Sequence, residues 1–201
     1  MGDGAGLIAE CVVTRSGGSG GLELAVKARR AVAAPQPSIT VIQAIPKGDR
    51  GELAVEEMTE VGVDRIVPWA ADRSVPVWRG DNGLNRWRAT AREAAKQSRR
   101  AWIPEVTGVA DTAVAASLVE AAGAAFLLEP GAATPLARVV VPSSGDVVIV
   151  VGPEGGVTER ETAELRVAGA EAVRLGPTVL RASTAGAVAA AVLLSRGNRW
   201  A

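Results

Sequence analysis

From residue 38 onward, apolar runs of strand length alternate with longer stretches in which apolar residues recur every three or four positions. The pattern predicts strands at 38–45, 64–68, 105–109, 124–128, 147–151 and 171–175, with helices at about 50–61, 83–100, 111–122, 157–169 and 182–196. The run Val147-Val148-Ile149-Val150-Val151 is apolar and β-branched throughout, as a parallel strand buried on both faces requires. Residues 185–194 are almost all Ala, Val, Leu and Gly, so the last helix is expected to be buried nearly all round. The alternation places the chain in the α/β class, a parallel sheet with helices on both faces. The first 37 residues differ: two β-like runs, 7–14 and 22–26, flank Ser16-Gly17-Gly18-Ser19-Gly20-Gly21 and predict a hairpin. A lone hairpin is marginal in water, so this one has to pack on something else. The boundary is expected at Pro35-Gln36-Pro37, giving units 1–37 and 38–201.

Composition narrows the chemistry. Of 201 residues, 48% are hydrophobic and 22% charged, the balance of a folded chain. One cysteine, Cys11, excludes an internal disulfide and a cysteine-built metal site, and no metal is expected. There is no histidine and no tyrosine, so acid–base work falls to carboxylates, Arg, Lys, hydroxyls, water or backbone groups. No apolar run reaches 18 residues, and the amino terminus lacks the basic-then-apolar order of a signal peptide. The expected location is the cytoplasm, with no membrane partner. The formal charge is zero, yet residues 73–103 carry eight basic side chains against two acidic ones.

Three segments are candidates for chemistry. Gly152-Pro153-Glu154-Gly155-Gly156 follows the most apolar strand and precedes a helix, where backbone amides can approach a ligand closely. It matches neither GxGxxG nor a P-loop, and reads equally as a turn before a helix capped by Thr158 with Glu161 completing a capping box. Leu175-Gly176-Pro177-Thr178-Val179-Leu180-Arg181 runs from a strand into the buried last helix, and alone reads as a loop before a core helix. In the basic helix, Arg88, Arg92, Lys96 and Arg99 share one face over roughly 16 Å, opposite Leu84, Trp87, Ala91, Ala94 and Ala95. That face suits a phosphate backbone, although a charged face is more often merely solvated. The weight of Arg, 19 of the 22 basic residues, favours the phosphate reading.

Together the segments resemble the RsmE family, bacterial uridine methyltransferases of small-subunit ribosomal RNA within the SPOUT superfamily. The stretches that carry the resemblance are Gln43-Ala44-Ile45-Pro46-Lys47-Gly48-Asp49-Arg50, Thr59-Glu60-Val61-Gly62-Val63, Asp72-Arg73-Ser74, Arg86-Trp87, and Glu93-Ala94-Ala95-Lys96-Gln97-Ser98-Arg99-Arg100 with Pro104. The Gly152 and Leu175 segments complete them, in family order. The resemblance implies a SPOUT-type α/β fold with a carboxy-terminal trefoil knot, S-adenosylmethionine bound in bent form by the knot loops, and a homodimer with composite active sites. It also implies that residues 1–37 correspond to the last portion of a PUA-like β-barrel. Ser183 stands where the family usually has glutamate, and Thr178 where a basic residue is common.

By position, the cofactor would be held by Leu128, Glu129, Gly131, Gly152, Pro153, Glu154, Gly155, Gly156, Leu175, Gly176, Thr178 and Leu180. Lys47, Arg73, Arg88, Arg92, Lys96, Arg99 and Arg100 would meet 16S rRNA in the small ribosomal subunit. The implied reaction methylates N3 of a uridine. Arg100 or Arg181 is expected to stabilise the uracil anion while water or a carboxylate such as Glu154 takes the N3 proton. Alternatives are a SPOUT enzyme acting on another RNA such as tRNA, a non-catalytic RNA-binding or assembly module, and more remotely a nucleotide-binding metabolic enzyme.

Overall fold

The computed structural model describes residues 1–16, 21–48, 50–74, 78 and 80–200. Residues 17–20 of the Gly/Ser loop, Asp49 of the 43–50 stretch and Arg79 of the basic segment lie outside the described residues. In chain order the elements are β1 (Leu7–Ser16), β2 (Leu22–Ala31), β3 (Ser38–Ala44), α1 (Arg50–Val61), β4 (Arg65–Trp69), α2 (Asn82–Gln97), β5 (Glu105–Val106), α3 (Thr112–Glu120) and β6 (Ala124–Leu128). They continue with β7 (Thr134–Pro135), a 3-10 turn (Leu136–Arg138), β8 (Asp146–Val151), α4 (Glu159–Val167), β9 (Glu171–Arg174) and α5 (Ala182–Arg196).

Strands β3 to β9 form one parallel sheet in the order β5-β4-β3-β8-β6-β9-β7. Successive side chains of a strand face opposite ways, and the core divides accordingly. Ile39, Val41, Val147, Ile149 and Val151 pack with α1, α2 and α5, whereas Ile42, Ala44, Val148 and Val150 pack with α3 and α4. Residues 147–151 are at most 2% exposed, which is why their sequence shows no alternation. None of the helices among the described residues is long and apolar enough to cross a membrane.

Strands β1 and β2 pair antiparallel as a separate ribbon, longer than the sequence pattern predicts. The ribbon joins the body through Gly6 N–H to Ala101 O (3.0 Å), Ile103 N–H to Gly4 O (2.9 Å) and Trp102 Nε1–H to Val32 O (3.0 Å). Two other elements depart from expectation. Helix α2 stops at Gln97, because Ser98 Oγ donates to Ala94 O (2.7 Å) and Arg99 turns left-handed at φ 55°. Strand β5 keeps only two residues at the sheet edge, where a single neighbour supports it.

A largely buried carboxylate ties the chain end to the body. Asp64, just before β4, accepts from Ile39 N–H (2.9 Å) and pairs with Arg100 (3.1 Å) and Arg199. Arg100 also donates to Thr59 O (2.9 Å) and Val63 O (2.5 Å), and Arg199 to Gly62 O (3.0 Å) and Pro37 O (3.3 Å). The three side chains are 11–15% exposed. Arg100, expected to stabilise an anion and to contact RNA, has its guanidinium engaged by two carbonyls and a carboxylate inside the fold. Burial pulls its pKa below the usual value and Asp64 pulls it back up, so it stays charged in place.

Asp64→Ala leaves two largely buried guanidinium groups with carbonyl partners but no counter-charge, and is expected to lower stability by about 3 kcal/mol in urea unfolding. A loss below about 1 kcal/mol would mean the cluster behaves as a surface pair. On α1, Glu57 Oε2 is buried without a partner among the described residues, and burial first, then Glu56 and Glu60, raise its pKa above 4.5. The folded state therefore binds this proton more tightly than the unfolded chain, and stability falls as pH rises through the folded pKa. Glu57→Gln is expected to raise the thermal midpoint at pH 7, with the gain disappearing below about pH 4.5, the ordinary value.

Candidate functional site

Open parallel sheets bind ligands beyond the carboxyl ends of their strands. Past β6, β8 and β9, three loops enclose a cavity of about 520 Å³. The β6 end supplies Leu127, Leu128, Glu129 and Pro130, and the β8 end Val151, Gly152, Pro153, Glu154, Gly156 and Val157. The segment after β9 supplies Leu175, Gly176, Thr178, Val179, Leu180 and Arg181, with Thr162 of α4 and Ala182 and Ala185 of α5 completing the lining.

Local chemistry sets each loop. After β8 the chain turns with Gly156 N–H on Pro153 O (2.8 Å), and α4 begins at Thr158 in a full capping box with Glu161. After β9, Gly176 sits at φ +128°, a conformation closed to L side chains, and a Cβ there would meet no protein atom within 4 Å. Arg181 is extended at the N-cap of α5, and its carbonyl accepts from Thr184 and Ala185 N–H.

The structure brings together Leu128, Glu129, Gly152, Pro153, Glu154, Gly156, Leu175, Gly176, Thr178 and Leu180 as expected cofactor residues, with Glu154 and Arg181 as expected catalytic ones. Two of the expected cofactor residues lie off the cavity lining. Gly131 does not line the cavity, and its Cβ direction opens to empty space. Gly155 faces outward: an added Cβ would lie 3.3 Å from Arg73 Cβ, so glycine there makes room for the Arg73 stem. Arg73 closes the contact by donating from Nη1 to Gly155 O (2.9 Å). Arg100 lies elsewhere, beside Trp102, Ile103 and Pro35 at the joint with the β1–β2 ribbon.

The polar groups at the cavity are half-exposed. Glu154 Oε1 stands 3.7 Å from Arg50 Nη1, with side-chain exposures of 40% and 47%. Lys47 and Arg73 lie exposed past the ends of β3 and β4, on the same sheet edge as the cavity loops. Arg88, Arg92 and Lys96 occupy the exposed face of α2, and Arg99 follows the helix end. Arg88 also donates to Val106 O (3.1 Å), and Lys96 pairs with Glu93 (2.7 Å). Helix α2 packs beside α1 and β5, and its Trp87 lies against Gly51, next to Arg50. Trp69 and Trp87 are buried, and Trp78 stacks edge-on against Trp87 at 4.9 Å, so these rings serve packing.

Sequence reasoning missed part of the site. Leu127, Val151, Val157, Ala182 and Ala185 belong to apolar runs that look the same whether a side chain meets a ligand or the core. Arg50 carried no assigned role. Glu161, read as a cap residue, is fully buried and bonded well beyond its own helix. Among the described residues no group of three or more His, Cys, Asp or Glu side chains could hold a metal ion.

Residues 33–194 match the family model for the RNA methyltransferase domain. The chain is 48% identical over 207 residues to ribosomal RNA small subunit methyltransferase E of Mycobacterium bovis, covering 100% of this chain and 79% of the relative. The structure superposes on ribosomal RNA small subunit methyltransferase E from Neisseria gonorrhoeae bound to S-adenosylmethionine with TM-score 0.85, at 28% identity over 98% of this chain and 81% of that one. A methyltransferase from Legionella pneumophila in complex with the same cofactor gives 0.83 at 26% identity, over 96% and 81%. With that breadth of match in sequence and backbone, the chain belongs to the RNA methyltransferase domain family, in the branch of ribosomal RNA small subunit methyltransferase E.

Proposed function

We propose that this chain transfers the methyl group of S-adenosylmethionine to N3 of a uridine in 16S rRNA of the small ribosomal subunit. The observation that carries the reading is the cavity at the ends of β6, β8 and β9, built by three backbone-rich loops in a member of this family. Its donor set fits the cofactor. Leu127, Leu128, Val151, Val157 and Leu180 offer apolar surface for a purine ring, and Thr162 and Thr178 offer hydroxyls. Glu129 and Glu154 bring negative charge to a cationic ligand, while the open Cβ direction at Gly176 leaves backbone free to approach it. When bound, the cofactor supplies an electrophilic methyl on a sulfonium.

The chain's own residues do the remaining work. Arg181 lowers the cost of negative charge on the uracil ring, and Glu154, half-exposed beside Arg50, accepts the N3 proton directly or through water. Lys47, Arg73, Arg88, Arg92, Lys96 and Arg99 present positive charge to the RNA backbone. Residues 1–37 act as a PUA-like remnant attached to a catalytic unit of 38–201. A trefoil knot is supported by the route of α5, which leaves β9 and packs on α1, β8 and β3, back across β6. A homodimer completes the site, and Val179, 77% exposed on a cavity loop, is apolar surface that a second copy would cover.

The decisive assay is tritiated methyl transfer to unmodified small subunits, with the modified base identified by mass spectrometry. Label on N3 of uridine is expected, and none on tRNA. Gly176→Val, which places a branched side chain at a left-handed position on the lining, is expected to weaken cofactor binding at least about tenfold by calorimetry. Absence of transfer by a wild-type protein that binds the cofactor would reject the reading. Arg92→Ala is expected to weaken binding to small subunits and to reduce the slope of log K against log salt by about 1; an unchanged slope would remove α2 from the RNA interface.

A further inference from the structure

Glu161 is fully buried, and its carboxylate is shared among three segments. Oε1 accepts from Asp72 N–H (2.8 Å), past the end of β4, and from Thr112 Oγ1–H (3.2 Å) at the start of α3. Oε2 accepts from Thr158 N–H (3.0 Å) and Oγ1–H (2.7 Å) at the end of the cofactor loop. A capping box needs only the Thr158 bonds. Thr112 is fixed in turn by Trp69 Nε1–H (3.3 Å), and Asp72 holds Arg160 through both carboxylate oxygens (3.0 Å each). Next to Asp72, Arg73 lies across Gly155 and donates to its carbonyl.

The loop after β8 thus has two working faces. Gly152, Pro153, Glu154 and Gly156 line the cavity from inside, while Gly155 seats the exposed Arg73 outside. The buried carboxylate bonds the far end of that loop to the backbone of Arg73's own loop, so neither segment moves without stretching bonds to the other.

We propose that Glu161 is a positioning residue that couples the two faces: it sets Arg73 on the cofactor loop, so that filling the cavity fixes Arg73 for RNA and bound RNA in turn favours a filled cavity. The inference rests on the functional reading above. It adds a thermodynamic link, which must be reciprocal, assigned to one buried carboxylate. In Glu161→Gln, an N–H₂ group replaces one acceptor oxygen in a site whose neighbours already donate, and the link opens at nearly constant volume.

The test titrates fluorescently labelled protein with unmodified small subunits, with and without saturating S-adenosylhomocysteine, which fills the cavity without reacting. The wild type is expected to bind subunits about five- to tenfold more tightly with the ligand present. Glu161→Gln, compared at a temperature where circular dichroism shows it folded, is expected to lose that gain. In a second arm, Gly155→Ala pushes Arg73 away without touching the carboxylate. It is expected to weaken subunit binding in the wild-type background and to add nothing to Arg73→Ala. A gain that survives Glu161→Gln, a wild type without any gain, or multiplicative effects of Gly155→Ala and Arg73→Ala would each overturn the proposal. A wild type that binds neither small subunits nor S-adenosylhomocysteine would overturn the functional reading and this inference together.

Discussion

The seat of α5 on the sheet is the constraint from which the site follows. The helix approaches so closely that a methyl group at Gly186 would stand 3.0 Å from Met58 Sδ and 3.3 Å from both Gln43 Oε1 and Val41 Cγ1. Only small residues permit this, and Ala182, Ala185, Ala187, Ala189 and Ala190 extend the contact, with Leu193 and Leu194 buried behind them. Each buried leucine contributes about 1.5–3 kcal/mol relative to an exposed one. Because α5 packs on α1, β8 and β3 while β9 lies beyond β6, the seven residues between β9 and α5 must cross the ends of intervening strands. That crossing segment is one side of the cavity, so the position of the ligand loop is a consequence of where its helix is held.

Two carboxylates, one buried and one nearly so, hold opposite ends of the sheet. Asp64, ahead of β4, gathers the start of β3 through a backbone N–H, and the turn after α1 and the chain end through two guanidinium groups. Glu161, beyond the carboxyl ends, gathers the β4 and β8 loops and the start of α3 through backbone and hydroxyl donors. A charge withdrawn from water is tolerable only when its hydrogen-bonding capacity is met; groups distant in sequence do so for Asp64, and for Glu161 such groups together with Thr158 of its own cap. Glu154 differs from both: it stands at the cavity 40% exposed, beside Arg50.

Legibility in the sequence followed the range of the interaction involved. Parallel strands buried on both faces and helices with a 3.6-residue period carry their signal in adjacent residues, and 147–151 and 182–196 emerged nearly at their observed limits. Glycine loops at strand ends are also local, and most of the cavity lining lay in them. Three features were not legible. The two-residue strand at Thr134–Pro135 is too short to show a period. Gly155 carries the same letter whether it faces a ligand or an arginine stem. Glu161 and Arg100 depend on partners 36 to 89 positions away, for which no single stretch of sequence holds a cue.

Arginine shows how a compositional signal divides once the structure is known. The excess of Arg over Lys pointed to phosphate recognition, yet a guanidinium offers five donors in a planar fork and serves carbonyl oxygens equally well. Arg100 and Arg199 span carbonyls of the α1–β4 turn, Arg174 reaches Ala132 O (2.9 Å), and Arg196 reaches Val139 O (3.2 Å). Arg100, Arg196 and Arg199 act as clamps between segments that no strand pairing joins, and Arg174 reinforces the short β7–β9 pairing from its flank. The residues left to meet a polyanion are the exposed ones at the carboxyl edge and on α2, including two of the three lysines, Lys47 and Lys96. The Arg bias therefore measures structural clamping as well, and it is the carbonyl partners, seen only in the fold, that identify the clamps.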